Sequence, residues 1–260
     1  MTVADGDFSS RPSSARIYDA LLGGNHNFAV DREAAKKLLE AIPYAAELAR
    51  ANRAFLNRAI TFMLDAGVRQ FLDLGSGIPT VGNVHEIAQA REPSARVVYV
   101  DIDPVAVAHS EEILRDNPNA TAVQADMRFP EAILADPALR AQLDLRRPVG
   151  LLLVSVLHFI GDQEAFPAVD RIRDALPAGS YLALSHGVVD TPADEAAEDV
   201  ASIYRRTDVT QAAGRTREQI LRFFGPATLV PPGLVWVHEW PNGAPEVENT
   251  AVVAAVGRLP

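Results

Sequence analysis

The chain has 260 residues, of which 48% are hydrophobic and 22% charged, as in a globular protein of one large domain or of one domain with an appendage. Its formal net charge of −10 argues against non-specific binding to nucleic acid or to an anionic membrane surface. The lack of cysteine excludes disulfides, thiolate metal sites and cysteine nucleophiles. With no apolar run of roughly 20 residues and a polar start, we expect a cytoplasmic protein with no membrane partner and a flexible N-terminus over residues 1–14.

Residues 15–66 are predicted to form a helical cap. A short helix over residues 15–22 stops at Gly23 and Gly24, a second pattern runs over 31–43, and a longer amphipathic helix covers 44–65. Because glycine reaches backbone conformations closed to other residues, the loop over residues 25–28 can fold over a ligand.

From residue 67 onward, apolar strands alternate with helical patterns. Strands are predicted at 70–74, 97–101, 121–125, 149–156 and 180–186, and helices at 83–90, 105–115, parts of 130–142, and 163–175. Asp103 before Pro104 marks one helix start, and Thr216 with Gln219 forms a capping box at another. This alternation predicts a parallel, doubly wound sheet.

The end of the chain predicts a reversed strand. Strand patterns at 234–240 and 250–256 are joined by residues 241–249, which contain two prolines and a glycine and cannot hold a crossover helix. Such an antiparallel last strand is similar to the class I fold of S-adenosylmethionine-dependent methyltransferases and unlike a nicotinamide-binding Rossmann domain. The predicted fold is therefore α/β, with a Rossmann-like, doubly wound, seven-stranded sheet, an antiparallel last strand and an N-terminal helical segment.

The clearest binding motif follows the strand at 70–74. Glycines in the run Asp73-Leu74-Gly75-Ser76-Gly77 allow a tight turn against a ligand, and Asp101 at the tip of the next strand can accept hydrogen bonds from both ribose hydroxyls. Together they predict an adenosine-containing cofactor, whereas a Gly-x-Gly alone could be only a tight turn. A dinucleotide-binding fingerprint has a small residue at the position that Thr80 occupies here. The loss of that small residue matters less for S-adenosylmethionine, because this cofactor has no pyrophosphate that must bind at a helix N-terminus.

Three segments carry a family resemblance over nearly the whole chain. Residues 15–31 (ARIYDALLGGNHNFAVD), 51–56 (ANRAFL) and 70–80 (QFLDLGSGIPT) resemble the actinobacterial S-adenosyl methyltransferase family, once classed as a domain of unknown function. His26 departs from the pattern, where an acid or similar polar residue is expected. The resemblance implies a class I methyltransferase domain over residues 67–260 that uses S-adenosyl-L-methionine. Methyl transfer from a sulfonium needs no metal, so no metal site is expected.

The resemblance and the side-chain chemistry give candidate cofactor contacts. Ile102 is expected against the adenine and Asp126 near its amino group, while Asp103 is expected to cap a helix. Polar groups of the N-terminal segment, including Asn52, can reach the methionine amine and carboxylate, or can instead cap the sheet and bind nothing. Arg53 is the natural partner of the carboxylate. The candidates are Tyr18, Asn27, Arg53, Asp73, Leu74, Gly75, Ser76, Gly77, Asp101, Ile102, Asp126, Met127 and Ser155.

The strand at 149–156 ends near two further candidates. In methyltransferases this strand tip faces the methyl group, so we expect Ser155 to contact the cofactor or the substrate. His158 is the best-placed general base for a hydroxyl or ammonium nucleophile. Both His158 and His186 could instead be core or capping histidines. The tip lacks an Asn-Pro-Pro-Tyr motif, which argues against the amino methyltransferases of DNA and of glutamine.

The predicted function is methyl transfer to a hydroxyl or amine of a small molecule, in a pocket between the helical cap and the tips of strands four and five. Residues 194–199 form either part of its rim or a solvated face. One alternative is a protein that binds or senses S-adenosylmethionine without catalysis. The other is a nicotinamide oxidoreductase, which Thr80 and the terminal hairpin disfavour. Fold and cofactor site carry no information on the methyl acceptor, and the motifs leave the oligomeric state open.

Overall fold

The structure is a computed structural model that describes residues 10–78, 82–189, 202–204, 207, 214–242 and 251–260. The predictions for Thr80, for residues 194–199 and for most of the N-terminal lead-in fall outside the described residues. Most of the connection over residues 241–249 does so too.

Eight strands form one sheet in the described part of the chain. They are β1 Gln70–Leu74, β2 Arg96–Asp101, β3 Ala120–Gln124, β4 Gly150–Val154, β5 Tyr181–Gly187, β6 Thr228–Leu229, β7 Val235–Trp236 and β8 Val252–Arg258. The order is β3-β2-β1-β4-β5-β8-β6, with β7 also paired to β8. Strands β1 to β5 are parallel to their neighbours, and β8 is antiparallel to β5. The predicted doubly wound sheet with an antiparallel last strand is confirmed.

The short strands β6 and β7 are two pieces of one interrupted edge strand. Leu229 pairs with Gly257, and Val235 pairs with Ala254. Between these two pairs the edge chain advances by six residues, whereas β8 advances by only three. The sequence predicted one continuous strand over 234–240. Instead the chain turns after Trp236 and buries the Trp240 ring, edge-on to Phe55 and Phe62 at centroid distances of 5.5 and 5.7 Å.

Three helices precede the sheet: α1 Ser14–Leu21, α2 Ala29–Ala41 and α3 Ala45–Asp65. Helices α1 and α2 share a small apolar cluster with the start of α3. Farther along, α3 buries Phe55, Ile60 and Met63 completely against the sheet cluster that contains Phe71. Helix α3 therefore joins the cap to the sheet through one continuous apolar face.

The other described helices flank the sheet. They are α4 Val84–Arg91, α5 Pro104–Leu114, α6 Pro130–Ala135, α7 Pro137–Gln142, α8 Asp162–Asp174 and α9 Arg217–Arg222, with a 3₁₀ turn at Leu157–Phe159. As predicted, the Asp103 side chain caps α5 by accepting from the Val105 N–H, and Thr216 forms its capping box with Gln219. No helix of the described residues is long and apolar enough to cross a membrane.

A buried ion cluster fixes the cap against the carboxyl edge of the sheet. Arg16 of α1 contacts Asp31 of α2 through Nε at 2.9 Å and Asp103 through Nη1 at 3.1 Å, and all three side chains are buried. Ser13 donates its hydroxyl to Asp103 at 2.6 Å and its backbone N–H to Asp31 at 2.9 Å. Each carboxylate therefore has both an ionic and a hydrogen-bonding partner, which a buried charge requires.

Replacing Arg16 by methionine would leave Asp31 and Asp103 buried without their cation. We expect Arg16→Met to lower the free energy of unfolding by about 3–5 kcal/mol, measured by urea denaturation. The matched control is Arg91→Met, because Arg91 pairs with Asp65 at 2.8 Å on the surface, where an ion pair contributes about 0–1 kcal/mol. Equal small losses in both variants would contradict the structural role of Arg16.

Candidate functional site

The glycine turn after β1 is held against β2 by backbone hydrogen bonds. Gly75 and Ser76 donate their N–H groups to the Val100 carbonyl at 2.8 and 3.2 Å. Gly75 and Gly77 have φ angles of +69° and +66°, which a residue with a Cβ rarely adopts. A Cβ on Gly75 would also lie 2.1 Å from Cγ2 of Val156. Gly75 is therefore required for both backbone conformation and space.

Asp101, the predicted ribose acceptor, also organises the turn. One carboxylate oxygen accepts from the Gly77 N–H at 2.7 Å, and the other from the Asp103 N–H at 2.9 Å. These two bonds fix the orientation of the carboxylate at the end of β2. The structure thus places Asp101 beside the glycine turn, as the sequence predicted.

Asp73 lies under the same turn as a buried carboxyl group. Burial raises the pKa of Asp73 to about 7, the nearby Arg53 guanidinium opposes this rise, and the charge of Asp101 adds to it. Arg53 in turn lies over the Tyr18 ring at 5.9 Å. Four predicted site residues, from α1, α3, β1 and β2, therefore come together here.

A chain of hydrogen bonds leads from the cap to the tips of β4 and β5. Tyr18 donates its hydroxyl to the Ala49 carbonyl at 3.1 Å, and the Asn52 amide donates to the Tyr18 oxygen at 3.0 Å. Ser185 donates to the Asn52 amide oxygen at 2.6 Å, and the Ser155 and Ser185 hydroxyls are 3.3 Å apart. Ser155 also has a φ of +56°, a left-handed conformation that the polar chain helps to hold.

The Ala49 carbonyl at one end of this chain determines which group donates in each of its hydrogen bonds. A carbonyl only accepts, so Tyr18 must donate to Ala49 and accept from Asn52, whose amide oxygen then accepts from Ser185. Since Ser185 has one proton, the bond between the serines must be donated by Ser155. The Ser155 hydroxyl therefore faces any further partner only as an acceptor.

Asn27 is not brought to this group of residues. Its amide nitrogen donates to Asp19 at 2.8 Å and to the Gly24 carbonyl at 2.9 Å, which closes the loop after α1. The same Asp19 oxygen accepts from the His26 N–H at 3.0 Å. The sequence analysis missed Asp19, whose side chain is buried although acidic residues on a surface helix are normally exposed.

Apolar and acidic groups follow β2 and β3 at the other end of the site. Ile102 is 51% exposed and Phe129, which the sequence analysis missed, is 63% exposed. The Met127 side chain is buried in the core, so only its backbone is available to a ligand. Burial would raise the pKa of Asp126, but hydrogen bonds from the Arg128 side chain and N–H outweigh burial and hold that pKa below its usual range.

His186 at the end of β5 is a satisfied core histidine. Its Nε2 lies 2.8 Å from a guanidinium nitrogen of the fully buried Arg215, and its Nδ1 lies 2.6 Å from the Gly187 carbonyl. Because arginine only donates, Nε2 must accept and Nδ1 must carry the proton. Burial and the Arg215 charge lower the pKa of His186 to about 4, so its ring is neutral at physiological pH.

Arg215 was also missed by the sequence analysis, and it holds the turn that carries His158. Its guanidinium donates to the Leu157 and Ile160 carbonyls, both at 2.6 Å, and to Asp162 at 2.9 Å. These bonds enclose His158 on the 3₁₀ turn. No adjacent motif predicts Arg215, because the hydrogen-bond partners of its guanidinium lie 29 or more residues away in the chain.

His158 differs from His186 in its hydrogen bonding. Its buried Nδ1 has no hydrogen-bond partner among the described residues, although the ring lies 5.4 Å from His186. Burial, then His186 and Arg215, hold the pKa of His158 well below the usual value. Aromatic rings adjoin it, because Phe159 contacts both His158 and Tyr204, at 4.1 and 5.0 Å between ring centroids.

Comparison with known proteins identifies the family. The S-adenosyl methyltransferase family model matches residues 5–260. The chain belongs to the S-adenosyl methyltransferase family. A structure from Thermobifida fusca, provisionally named a methyltransferase, is 42% identical with a TM-score of 0.90, over 97% of this chain and 96% of its own. No curated protein matches the sequence.

One further structure agrees with this assignment, and a more distant one shares the fold. A DUF574 family protein from Streptomyces avermitilis is 40% identical with a TM-score of 0.90, and the match covers 97% of this chain and 99% of that one. The N-methyltransferase NodS from Bradyrhizobium japonicum, solved with S-adenosyl-L-homocysteine, shares the fold at 15% identity and a TM-score of 0.51, over 88% and 97% of the two chains. The protein is thus an S-adenosylmethionine-dependent methyltransferase of the Rossmann-like class, and the nicotinamide alternative is wrong.

The methyltransferase should not tolerate a side chain at Gly75. We expect Gly75→Ala to abolish measurable binding of S-adenosylhomocysteine in calorimetry, because the new Cβ overlaps Val156 and forces the turn to move. Gly67→Ala is the control, since Gly67 has a φ of +93° but nothing within 4 Å of an added Cβ. That control should lose only about 1–2 kcal/mol of stability and keep its affinity. If Gly75→Ala binds normally, the turn is not part of the cofactor site.

Proposed function

We propose that the methyltransferase acts on a hydroxyl or amine of a small molecule, with His158 as the general base. The observation that carries this proposal is the buried Nδ1 of His158, which has no hydrogen-bond partner among the described residues, while the neighbouring His186 uses both ring nitrogens. A neutral imidazole with an available nitrogen can take a proton from an O–H or N–H nucleophile.

The polar groups at the carboxyl ends of β1 and β2 support a placement for the nucleoside part of the cofactor. We assign the ribose hydroxyls to Asp101, whose carboxylate is oriented beside the turn by the Gly77 and Asp103 N–H groups. We assign the atoms of the cofactor that adjoin the ribose to the turn backbone of residues 74–77. The adenine ring fits the exposed apolar surface of Ile102, with Asp126 and the Met127 N–H at its edge.

The methionine part fits the group around Arg53. Its carboxylate suits the Arg53 guanidinium, which the Tyr18 ring supports from one side. Its ammonium suits the acceptors Asp73 and Ser155, because the first is a carboxylate when ionised and the second has already donated its proton to Ser185. The residues of the chain therefore match the cofactor in both charge and hydrogen-bond direction.

The bound cofactor supplies an electrophilic methyl group, and the chain supplies alignment and a proton acceptor. Burial and the Arg215 charge keep His158 neutral at physiological pH, which is the form that accepts a proton. The nucleophile would lose that proton to His158, and its electron pair would form the new bond to the methyl carbon as the carbon–sulfur bond breaks and S-adenosylhomocysteine leaves. The cap, fixed by the buried Arg16 cluster, favours a small acceptor, and the negative net charge disfavours a nucleic acid.

The alternative function is cofactor binding without catalysis. Purified protein should be incubated with methyl-tritiated S-adenosylmethionine and a metabolite extract that contains no protein or nucleic acid. Label in a small molecule would support the proposal, whereas saturable cofactor binding with no transfer would favour a binding protein. Label that appears only after nucleic acid or protein is added would overturn the small-molecule assignment.

His158→Gln should remove the proton acceptor and keep the ring's approximate volume. Once an acceptor is found, we expect kcat to fall by about 10²–10⁴-fold while the Kd for S-adenosylhomocysteine stays within about twofold. Because the pKa of His158 lies well below 6.5, the acid limb of the wild-type kcat profile should also lie below pH 6.5. Equal losses of kcat and of cofactor affinity at every pH would indicate a structural role instead.

Ser155→Ala tests the assignment of the cofactor ammonium. We expect the variant to bind S-adenosylhomocysteine about 10-fold more weakly, because a charged donor loses its acceptor. Binding of 5′-methylthioadenosine, which lacks the amino-acid part, should not change. Ser110→Ala is the control, since the Ser110 hydroxyl donates to the Ala106 carbonyl within α5, away from Ser155. Equal weakening of both ligands would contradict the assignment.

A further inference from the structure

A second cleft lies at the opposite edge of the sheet from the glycine turn. It has a volume of about 560 Å³ and is lined by four arginines, Arg96, Arg140, Arg146 and Arg171, with one carboxylate, Asp144. Its floor includes the buried apolar side chains Leu134 and Leu143. In a chain of net charge −10, this is a local concentration of positive charge over an apolar floor.

The guanidinium groups of the cleft are already oriented by the protein. Arg96 donates to the Gln142 carbonyl at 3.1 Å, and Arg140 donates through Nε to the Leu134 carbonyl at 2.5 Å. Arg171 donates through Nε to Glu131 at 3.0 Å. Each of these bonds uses one part of a guanidinium that has five N–H donors.

The loop beneath the arginines is also fixed. The buried Gln70 side chain donates to the Asp144 and Arg147 carbonyls at 2.7 and 2.9 Å and accepts from the Asp144 N–H at 3.0 Å. Asp144 in turn holds Arg146 through Nε at 2.9 Å. A ligand would therefore meet a loop that needs little further ordering, which favours binding.

We propose that this cleft binds a small molecule in which a phosphate group is joined to an apolar or planar body. Arginine forks match phosphate oxygens in geometry, and several of them can share a dianion. The apolar floor would contact the body of the ligand, and the volume falls within the range of small-molecule sites. A long polyanion such as nucleic acid would meet the negative charge of the rest of the surface.

The cleft is separate from the cofactor site. Arg96 is the first residue of β2, whereas Asp101 is the last, so the two sites lie on the order of 15–20 Å apart along that strand. Asp144 and Arg146 likewise precede β4, whereas Ser155 follows it. Occupancy of one site therefore does not exclude occupancy of the other by direct contact.

The experiment is calorimetry of the full chain with phenyl phosphate, which has both the dianion and a planar body. We expect saturable binding that is tighter than for inorganic phosphate and for phenol, and that is unchanged when the protein is saturated with S-adenosylhomocysteine. Arg96→Gln and Arg171→Gln, both at exposed side chains, should each weaken binding by about 10-fold.

Arg91→Gln is the matched control. Arg91 pairs with Asp65 at 2.8 Å and is 47% exposed, much as Arg171 pairs with Glu131 at 3.0 Å and is 54% exposed. The control should bind phenyl phosphate as the wild type does, and all variants should keep the wild-type affinity for S-adenosylhomocysteine. No binding to the wild type, equal losses in the control, or competition by S-adenosylhomocysteine would each overturn the proposal.

Discussion

The carboxyl edge of the sheet and the cap that covers it depend on the buried guanidinium of Arg16. It joins Asp31 of the cap to Asp103, whose backbone N–H holds one oxygen of Asp101, and the other oxygen of Asp101 holds the Gly77 N–H. A single polar network therefore runs from the first helix to the glycine turn. Because its charges are buried, it stabilises only when complete. The cap and the turn must form together, so the cap is part of the site's architecture.

Chemically similar residues in the site differ in whether the protein provides them with hydrogen-bond partners. His158 and His186 lie 5.4 Å apart, yet Arg215 and the Gly187 carbonyl satisfy only His186. Among the carboxyl groups, Asp101 accepts two backbone N–H bonds, whereas burial dominates the pKa of Asp73. His158 therefore keeps a ring nitrogen with no partner among the described residues, and Asp73 has a perturbed pKa, and these are the two features on which their proposed roles rest.

Local sequence patterns were enough to predict the sheet and part of the site. The bounds of β1, the Asp103 cap, and the meeting of Asp73 with Asp101 follow from strand patterns and from the shared edge of parallel strands. Arg215 and Asp19 could not be found in this way, because an isolated arginine or helical acid gives no sign of burial. Trp240 was likewise unpredictable: the edge strand ends early because its ring fills a space under α3 that only the assembled fold creates.

The distribution of charge along the sheet fits the chemistry of the family. S-adenosylmethionine carries two positive groups, a sulfonium and an ammonium, and the carboxyl ends of β1 and β2 provide the acids Asp73 and Asp101. Burial raises the pKa of Asp73 to about 7, although the Arg53 charge lowers it by more than the repulsion from Asp101 raises it. A cation placed beside them would stabilise the ionised form of the buried Asp73, so this end of the sheet favours a cationic ligand. The arginines of the cleft near the amino ends of the strands favour an anionic ligand instead.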